Sequence, residues 1–229
     1  MKIFNTFILL FLTTFSVFGT AQTPDKIIYN GKTYSLHSNP LESYFKQYPD
    51  KRPKDGIVSS GLWRGYVATF EIIDNQLYLK DIEIEISKKD EKGDDKDSWK
   101  SVLIIDDKYS WKSVLKEVFP NQEFIKIDWM TGLLVLPSGQ MVNYVHMGYG
   151  STFEHYTLLE IENGNLTKEK QFDYEQYEEF KERQFQAFKK TEEYEKMKTD
   201  FKKRGDADDE FIDYFLRSYI IEYTSKILE

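Results

Sequence analysis

The chain has 229 residues, 39 acidic against 31 basic side chains, and a formal charge of −8. An acidic surface repels phosphate backbones and anionic headgroups, which excludes nucleic acid as the expected partner. With no cysteine in the sequence, disulfides, thiolate metal sites and a lipid-modified cysteine are excluded as well. The fold must rest on packing, for which 17 Phe, 16 Tyr and 4 Trp supply the bulk.

Residues 1–21 have the order of a secretory signal peptide. Met1-Lys2 is a short positive start, Ile3 to Phe18 an apolar run, and Gly19-Thr20-Ala21 a small-residue cleavage site before Gln22. The run falls short of the roughly 20 apolar residues of a membrane span, and no later segment approaches that length. A periplasmic or secreted protein with no integral span after cleavage is expected, the alternative being an uncleaved N-terminal anchor.

Asn30-Gly31, between Lys26-Ile27-Ile28-Tyr29 and Lys32-Thr33-Tyr34-Ser35-Leu36, predicts a type I′ hairpin, since both residues accept positive φ. Pro40 to Tyr48 predicts a short helix capped by Asn39, with Leu41, Tyr44, Phe45 and Tyr48 on one face. Tyr66 to Ile72 is β-branched and aromatic, and after an Asp74-Asn75 turn the segment Leu77–Ile86 sets Ile82, Ile84 and Ile86 opposite Asp81, Glu83 and Glu85. That period of two is a half-buried strand. Ser87 to Asp97 is a charged loop. Asp95-Lys96-Asp97-Ser98-Trp99-Lys100-Ser101-Val102-Leu103 then recurs as Asp107-Lys108-Tyr109-Ser110-Trp111-Lys112-Ser113-Val114-Leu115, differing at one position. This is too short for a solenoid repeat and reads as a local duplication, the second copy running into a short helix stopped at Pro120.

Phe124–Trp129, Leu133–Leu136, Met141–Val145, Thr157–Ile161 and Leu166–Phe172 predict further strands. Thr131-Gly132, Ser138-Gly139, Gly148-Tyr149-Gly150 and Asn163-Gly164 supply the turns between them. Short connections favour antiparallel neighbours. Asp173 and Gln176 form a capping-box pattern opening a helix to Lys203, closed by Gly205 in a left-handed conformation. A second helix over 209–228 carries Phe211, Phe215, Tyr219 and Tyr223. The expected fold class is α+β: an antiparallel β meander, either a twisted sheet or a partly open barrel, followed by a C-terminal two-helix hairpin. The expected organisation is signal peptide 1–21, β-rich region 22–172, and helical hairpin 173–229 packed on the same domain.

Leu62-Trp63-Arg64-Gly65-Tyr66-Val67-Ala68-Thr69-Phe70-Glu71-Ile72, with Leu77-Tyr78-Leu79-Lys80-Asp81-Ile82 and the His146-Met147-Gly148-Tyr149-Gly150-Ser151 loop, resembles a group of uncharacterised exported bacterial proteins. The resemblance spans most of the mature chain. It implies no activity and assigns no functional residue.

The residues themselves offer a few chemical candidates. Trp63, Arg64 and Tyr66 are the residue types that dominate binding hot spots, and with Tyr149 they are expected to form an exposed recognition patch; the competing reading makes Trp63 and its neighbours sheet packing. His146 and His155 flank the Gly-rich loop and, with Glu154 or Glu71, have zinc-ligand chemistry without an established spacing. Ser151 near either histidine has nucleophile chemistry but not the Gly-x-Ser-x-Gly order. Glu71, Asp81, Glu83 and Glu85 read as the solvated face of a strand, and Asp90–Asp97 lacks the order of a calcium loop. No catalytic residue, metal or cofactor is assigned; the binding candidates are Trp63, Arg64, Tyr66, His146, Tyr149 and His155. The expected function is a non-enzymatic exported protein binding a protein or cell-envelope partner, an immunity-like role being one version. The alternatives are a cell-envelope hydrolase using His, carboxylate or Ser chemistry, and a small-ligand carrier.

Overall fold

A computed structural model describes residues 20–88, 108–122, 124–205 and 207–223. The expected signal peptide up to residue 19, most of the charged loop, the first copy of the near-repeat and the tail of the last helix lie outside the described residues. Asn30 and Gly31 take φ of 49° and 72°, the left-handed pair of a type I′ turn. They join β1 (Asp25–Tyr29) to β2 (Lys32–Leu36) with Ile27 opposite Tyr34. The same device at Asp74-Asn75 joins β3 (Val67–Ile73) to β4 (Gln76–Ser87), and at Asn163-Gly164 it joins β8 (Thr152–Glu162) to β9 (Asn165–Asp173).

With β5 (Tyr109–Ser113), β6 (Ile125–Lys126) and β7 (Gly132–Asn143), these strands form one mixed, mostly antiparallel sheet. Its order is β2-β1-β3-β4-β9-β8-β7, with β5 and β6 also pairing with β4. The sheet is not a pure antiparallel meander, because β1 runs parallel to β3, Ile27 opposite Phe70. The chain between β2 and β3 passes through α1 (Pro40–Gln47) and a 3₁₀ turn (Pro49–Lys51), long enough for the crossover a parallel pair needs. Nor does the sheet close. Its end strands meet where the His37 amide donates to Val135 O at 2.9 Å and Ser38 Oγ, at 3.2 Å from each, accepts from Val135 N and donates to Leu133 O.

Two bulges set which side chains reach the core. Thr69 faces Asp81 but Phe70 faces Leu79, so Lys80 is the extra residue and the alternation of β4 changes phase there. Leu77 and Leu79 before it and Ile82 and Ile84 after it therefore bury in one cluster, with Phe70, Leu134 and Ile161. The second bulge lies where a turn was expected. Gly139, at φ +79°, lets β7 continue from Leu133 through Met141, which still pairs with Phe153. The apolar run 133–136 does not alternate because both faces are covered. Leu134 and Leu136 join the main core, while Leu133 and Val135 pack with Tyr156, Phe172, Tyr177 and Phe180 under the helices.

The second copy of the near-repeat forms β5 and then the one-turn α2 (Leu115–Val118), as its sequence predicts. The C-terminal part differs from the expected helical pair. The capping box is present, Gln176 N donating to Asp173 Oδ1 at 2.8 Å and Asp173 N to Gln176 Oε1 at 3.2 Å. The helix it opens, however, breaks into α3 (Tyr174–Phe188) and α4 (Glu192–Arg204), because Thr191 caps a new start on Tyr194 N. Gly205 ends α4 extended, at φ 179°, not left-handed, and Asp208 caps α5 (Asp209–Ser218), which α6 (Ile220–Tyr223) follows. Phe185, Phe188, Tyr194, Ile212, Leu216 and Ile220 hold these helices together. Among the described residues no helix is long and apolar enough to cross a membrane.

Candidate functional site

Gly65, at φ +74°, turns the chain into β3 and sends Arg64 and Trp63 in different directions. Trp63 is 52% exposed, whereas Arg64 and Tyr66 are buried. Tyr66 therefore takes no part in an exposed patch. Its hydroxyl donates to Glu42 Oε1 at 2.8 Å, and Glu42 Oε2 accepts from Arg52 Nη2 at 2.6 Å. Burial beside Asp25 and Glu42 pushes the Tyr66 hydroxyl far above its ordinary pKa.

Arg64 is the hub. Its Nη2 donates to Thr23 O at 2.8 Å and to Asp25 Oδ1 at 3.2 Å, and its Nη1 donates to the Tyr149 hydroxyl at 2.8 Å. Asp25 Oδ1 also accepts from Ala68 N at 2.9 Å, tying β1 to β3 beyond their ladder. Burial raises the Asp25 carboxyl to about 6, an effect that Arg64 and the Ala68 amide only partly offset. The pair is sealed from solvent, with side-chain exposures of 1% and 0%, so it braces the fold and reaches no substrate. Tyr149 passes the connection on by donating to Asn39 Oδ1 at 2.9 Å. This is why Asn39 does not cap α1 with its side chain, as its position predicts.

Tyr149 belongs to the 144–151 loop, on which several elements converge. The first described residues pair with it: Gly148 N donates to Thr20 O at 3.3 Å and Gln22 N to Gly148 O at 3.0 Å. From the helices, the Tyr219 hydroxyl donates to Met147 O at 3.2 Å, and its ring lies so close over Gly148 that a Cβ there would sit 3.1 Å from the hydroxyl. Inside the loop, Ser151 Oγ accepts from Val145 N at 3.0 Å and donates to Val145 O at 3.3 Å. The Ser151 hydroxyl is thus committed to the turn.

His37 stacks on Tyr149 with centroids 4.6 Å apart and planes at 12°, with Phe153 edge-on at 5.6 Å. Desolvation there pushes the imidazole down to about 4, so it is neutral near neutral pH. The His37–Tyr149 stack lines a cleft of about 260 Å³ between the 144–151 loop, the start of β8, and helices α3, α5 and α6. Tyr156 and Tyr177 stack in its lining at 3.9 Å, and Tyr174 and Tyr214 project from α3 and α5.

His146 and His155 do not come together. His146 is exposed and shares a 2.7 Å hydrogen bond with Tyr144. His155 is exposed on β8 opposite Asp173, lining a separate, more open hollow with Tyr34 and Gln176. Glu71 pairs with Lys80 at 2.8 Å, and Glu154 accepts from Gln140 N at 2.8 Å. Among the described residues no three His, Asp or Glu side chains are grouped to hold a metal ion. Of the six binding candidates, the structure links Arg64 and Tyr149 directly, sets Tyr66 beneath Arg64, and leaves Trp63, His146 and His155 in separate surroundings. Sequence reasoning missed His37, Thr152, Tyr174 and Tyr214. Tyr214 carried a signal, being an aromatic on α5 that falls outside the Phe211, Phe215, Tyr219 stripe. No family model matches the chain, and neither a curated protein nor a solved structure is significantly similar to it.

Proposed function

We propose that this is an exported, non-enzymatic binding protein of the bacterial cell envelope, and that it holds an envelope component in the tyrosine-lined cleft beside the 144–151 loop. The observation that carries this reading is the cleft's construction. Its aromatic wall is fixed in advance by the buried Asp25–Arg64–Tyr149–Asn39 chain from one side and by Tyr219 from the other. A preformed concave site loses less conformational freedom on binding than a mobile loop. The commitment of Ser151 to Val145 and of His146 to Tyr144 speaks against the hydrolase alternative, which needs a hydroxyl and a base within reach of each other.

The test is retention of envelope material by immobilised protein. Wild type is compared with Tyr214→Ala, which removes an exposed ring without opening the core, and with Thr152→Trp, which fills the cleft. Circular dichroism checks that both variants are folded. A species enriched on wild type and lost from both variants supports the reading. The same species retained equally by all three overturns it.

A further inference from the structure

We propose that the cleft takes a neutral saccharide, a unit of glycan chain built from hexose or N-acetylhexosamine rings. This rests on the cleft being the binding site and names the chemistry of what it holds.

Three features of the lining converge on this class. The first is ring faces. Tyr149, Tyr177, Tyr174 and Tyr214 present aromatic surface to the cleft, and the negative face of an aromatic ring attracts the weakly positive C–H face of a pyranose. The second is polar groups that still need partners. Thr152 Oγ1 is buried without a hydrogen bond. Among the described residues the Asn143 amide and the Tyr174 and Tyr214 hydroxyls have no protein hydrogen-bond partner either. A purely apolar ligand would seal Thr152 Oγ1 away unsatisfied, which costs more than a hydrogen bond returns. Sugar hydroxyls donate and accept, so they match hydroxyls and an amide equally well.

The third feature is charge. The lining holds two cations, and each already has an anion. Lys181 Nζ lies 2.7 Å from Glu178 and over the Tyr177 ring, and Arg217 Nε lies 3.1 Å from Glu182 and over Phe185. A phosphate or carboxylate ligand would have to displace a carboxylate, and a cationic ligand would have to displace a cation, so the balance selects a neutral molecule. At about 260 Å³ the space is at the small end of ligand sites. It suits one sugar ring, with neighbouring units leaving past Tyr214, which is 58% exposed.

The experiment titrates the purified protein with chitotetraose and with maltotetraose at low and high salt, read by calorimetry and by tyrosine fluorescence. Saturable binding of at least one oligosaccharide is expected, unchanged by salt because no charge is exchanged. Tyr174→Phe, Tyr214→Phe and Thr152→Val keep shape and remove one polar group each. Each should weaken binding about three- to tenfold, the worth of one hydrogen bond. The proposal is overturned if neither sugar binds saturably, if binding falls steeply with salt, or if the three variants bind like wild type. Should the sugars fail while envelope material is still lost on Tyr214→Ala and Thr152→Trp, the saccharide assignment falls and the binding cleft stands. Should both fail, the cleft itself is wrong.

Discussion

Arg64 donates its Nη1 hydrogen bond to the hydroxyl of Tyr149 at 2.8 Å, across 85 positions of sequence, while its Nη2 holds Asp25. One buried guanidinium therefore fixes both the start of β1 and the loop that shapes the cleft. Replacing it by methionine keeps much of the volume but leaves Asp25 buried beside no cation. Breaking a buried pair in this way costs about 3–5 kcal/mol. Urea denaturation of Arg64→Met should show a loss of that order, and Asp25→Asn in the same background should recover part of it. If Arg64→Met unfolds at the wild-type urea midpoint, the brace contributes nothing.

The same cluster predicts two opposed pH dependences. Asp25 is raised from 3.8 to about 6 in the folded protein, so between those values the folded state holds more proton than the unfolded chain. Its contribution therefore makes stability fall as pH rises from about 4 to 6. His37 is lowered from 6.5 to about 4, so over nearly the same window the unfolded chain holds more proton and stability rises with pH. In wild type the two slopes largely cancel. Relative to wild type, Asp25→Asn should gain stability as pH rises from 4 to 6, and His37→Phe should lose it. Denaturant midpoints across that window for the three proteins give the answer; parallel curves would show that neither group is displaced as the structure implies.

Gly164 and Gly31 occupy equivalent positions in two type I′ turns, with φ of +77° and +72°. They separate backbone strain from steric collision. At Gly31 a Cβ meets nothing, whereas at Gly164 it would collide with the Ile127 carbonyl. Gly31→Ala should cost about 1 kcal/mol for the left-handed conformation alone. Gly164→Ala should cost clearly more and disturb the seam where β4, β6 and β9 meet. Thermal denaturation of the two variants side by side decides it, and equal losses would mean that Ile127 moves aside freely.

What the sequence disclosed was local and what it concealed was long-range. Asn30-Gly31, Asp74-Asn75, Asn163-Gly164 and the Asp173–Gln176 capping box are legible because their chemistry acts within four residues. Ser138-Gly139 misleads because a left-handed glycine serves a bulge as well as a turn, and the choice is made by β8, which keeps pairing past it. The break at Thr191 hides because Lys189 and Lys190 suit a helix, and only the gain from packing Tyr194 against Phe188 redirects the chain. At the site, Trp63-Arg64-Gly65-Tyr66 stood out by residue type, but type does not say which way each side chain points. Gly65 turns Arg64 inward and leaves Trp63 outside. His37 and Thr152 gave no signal, since a lone histidine or threonine becomes notable only through its neighbours in space.

The 144–151 loop should be rigid for an identifiable reason. Its amides at Val145 and Gly150 are bonded to Ser151 Oγ and Met147 O, and Tyr149 is anchored to Arg64 and Asn39. Tyr149→Phe removes both outward anchors while keeping the stack on His37. Ser151→Ala removes the internal one. Both variants should speed hydrogen exchange at Val145 by about tenfold, corresponding to about 1 kcal/mol of local stability, and leave the β3–β4 amides unchanged. Exchange rising equally across the whole sheet would mean that these bonds support global folding and not the loop.

Export is testable on the finished protein. If residues 1–21 are removed as their pattern predicts, the protein recovered from the periplasm or medium begins at Gln22, and intact-mass measurement reads this directly. The structure gives the new terminus a consequence. Gln22 N donates to Gly148 O, and the Gln22 side chain donates to Ser60 O at 2.6 Å. After cleavage that amide becomes an ammonium facing the same carbonyl, a charge-assisted bond stronger than the one it replaces. The processed form should therefore melt no lower than a version carrying Thr20 and Ala21, even though it loses the Gly148-to-Thr20 bond. A protein recovered with residues 1–21 intact would remove the signal-peptide reading and leave the N-terminal anchor.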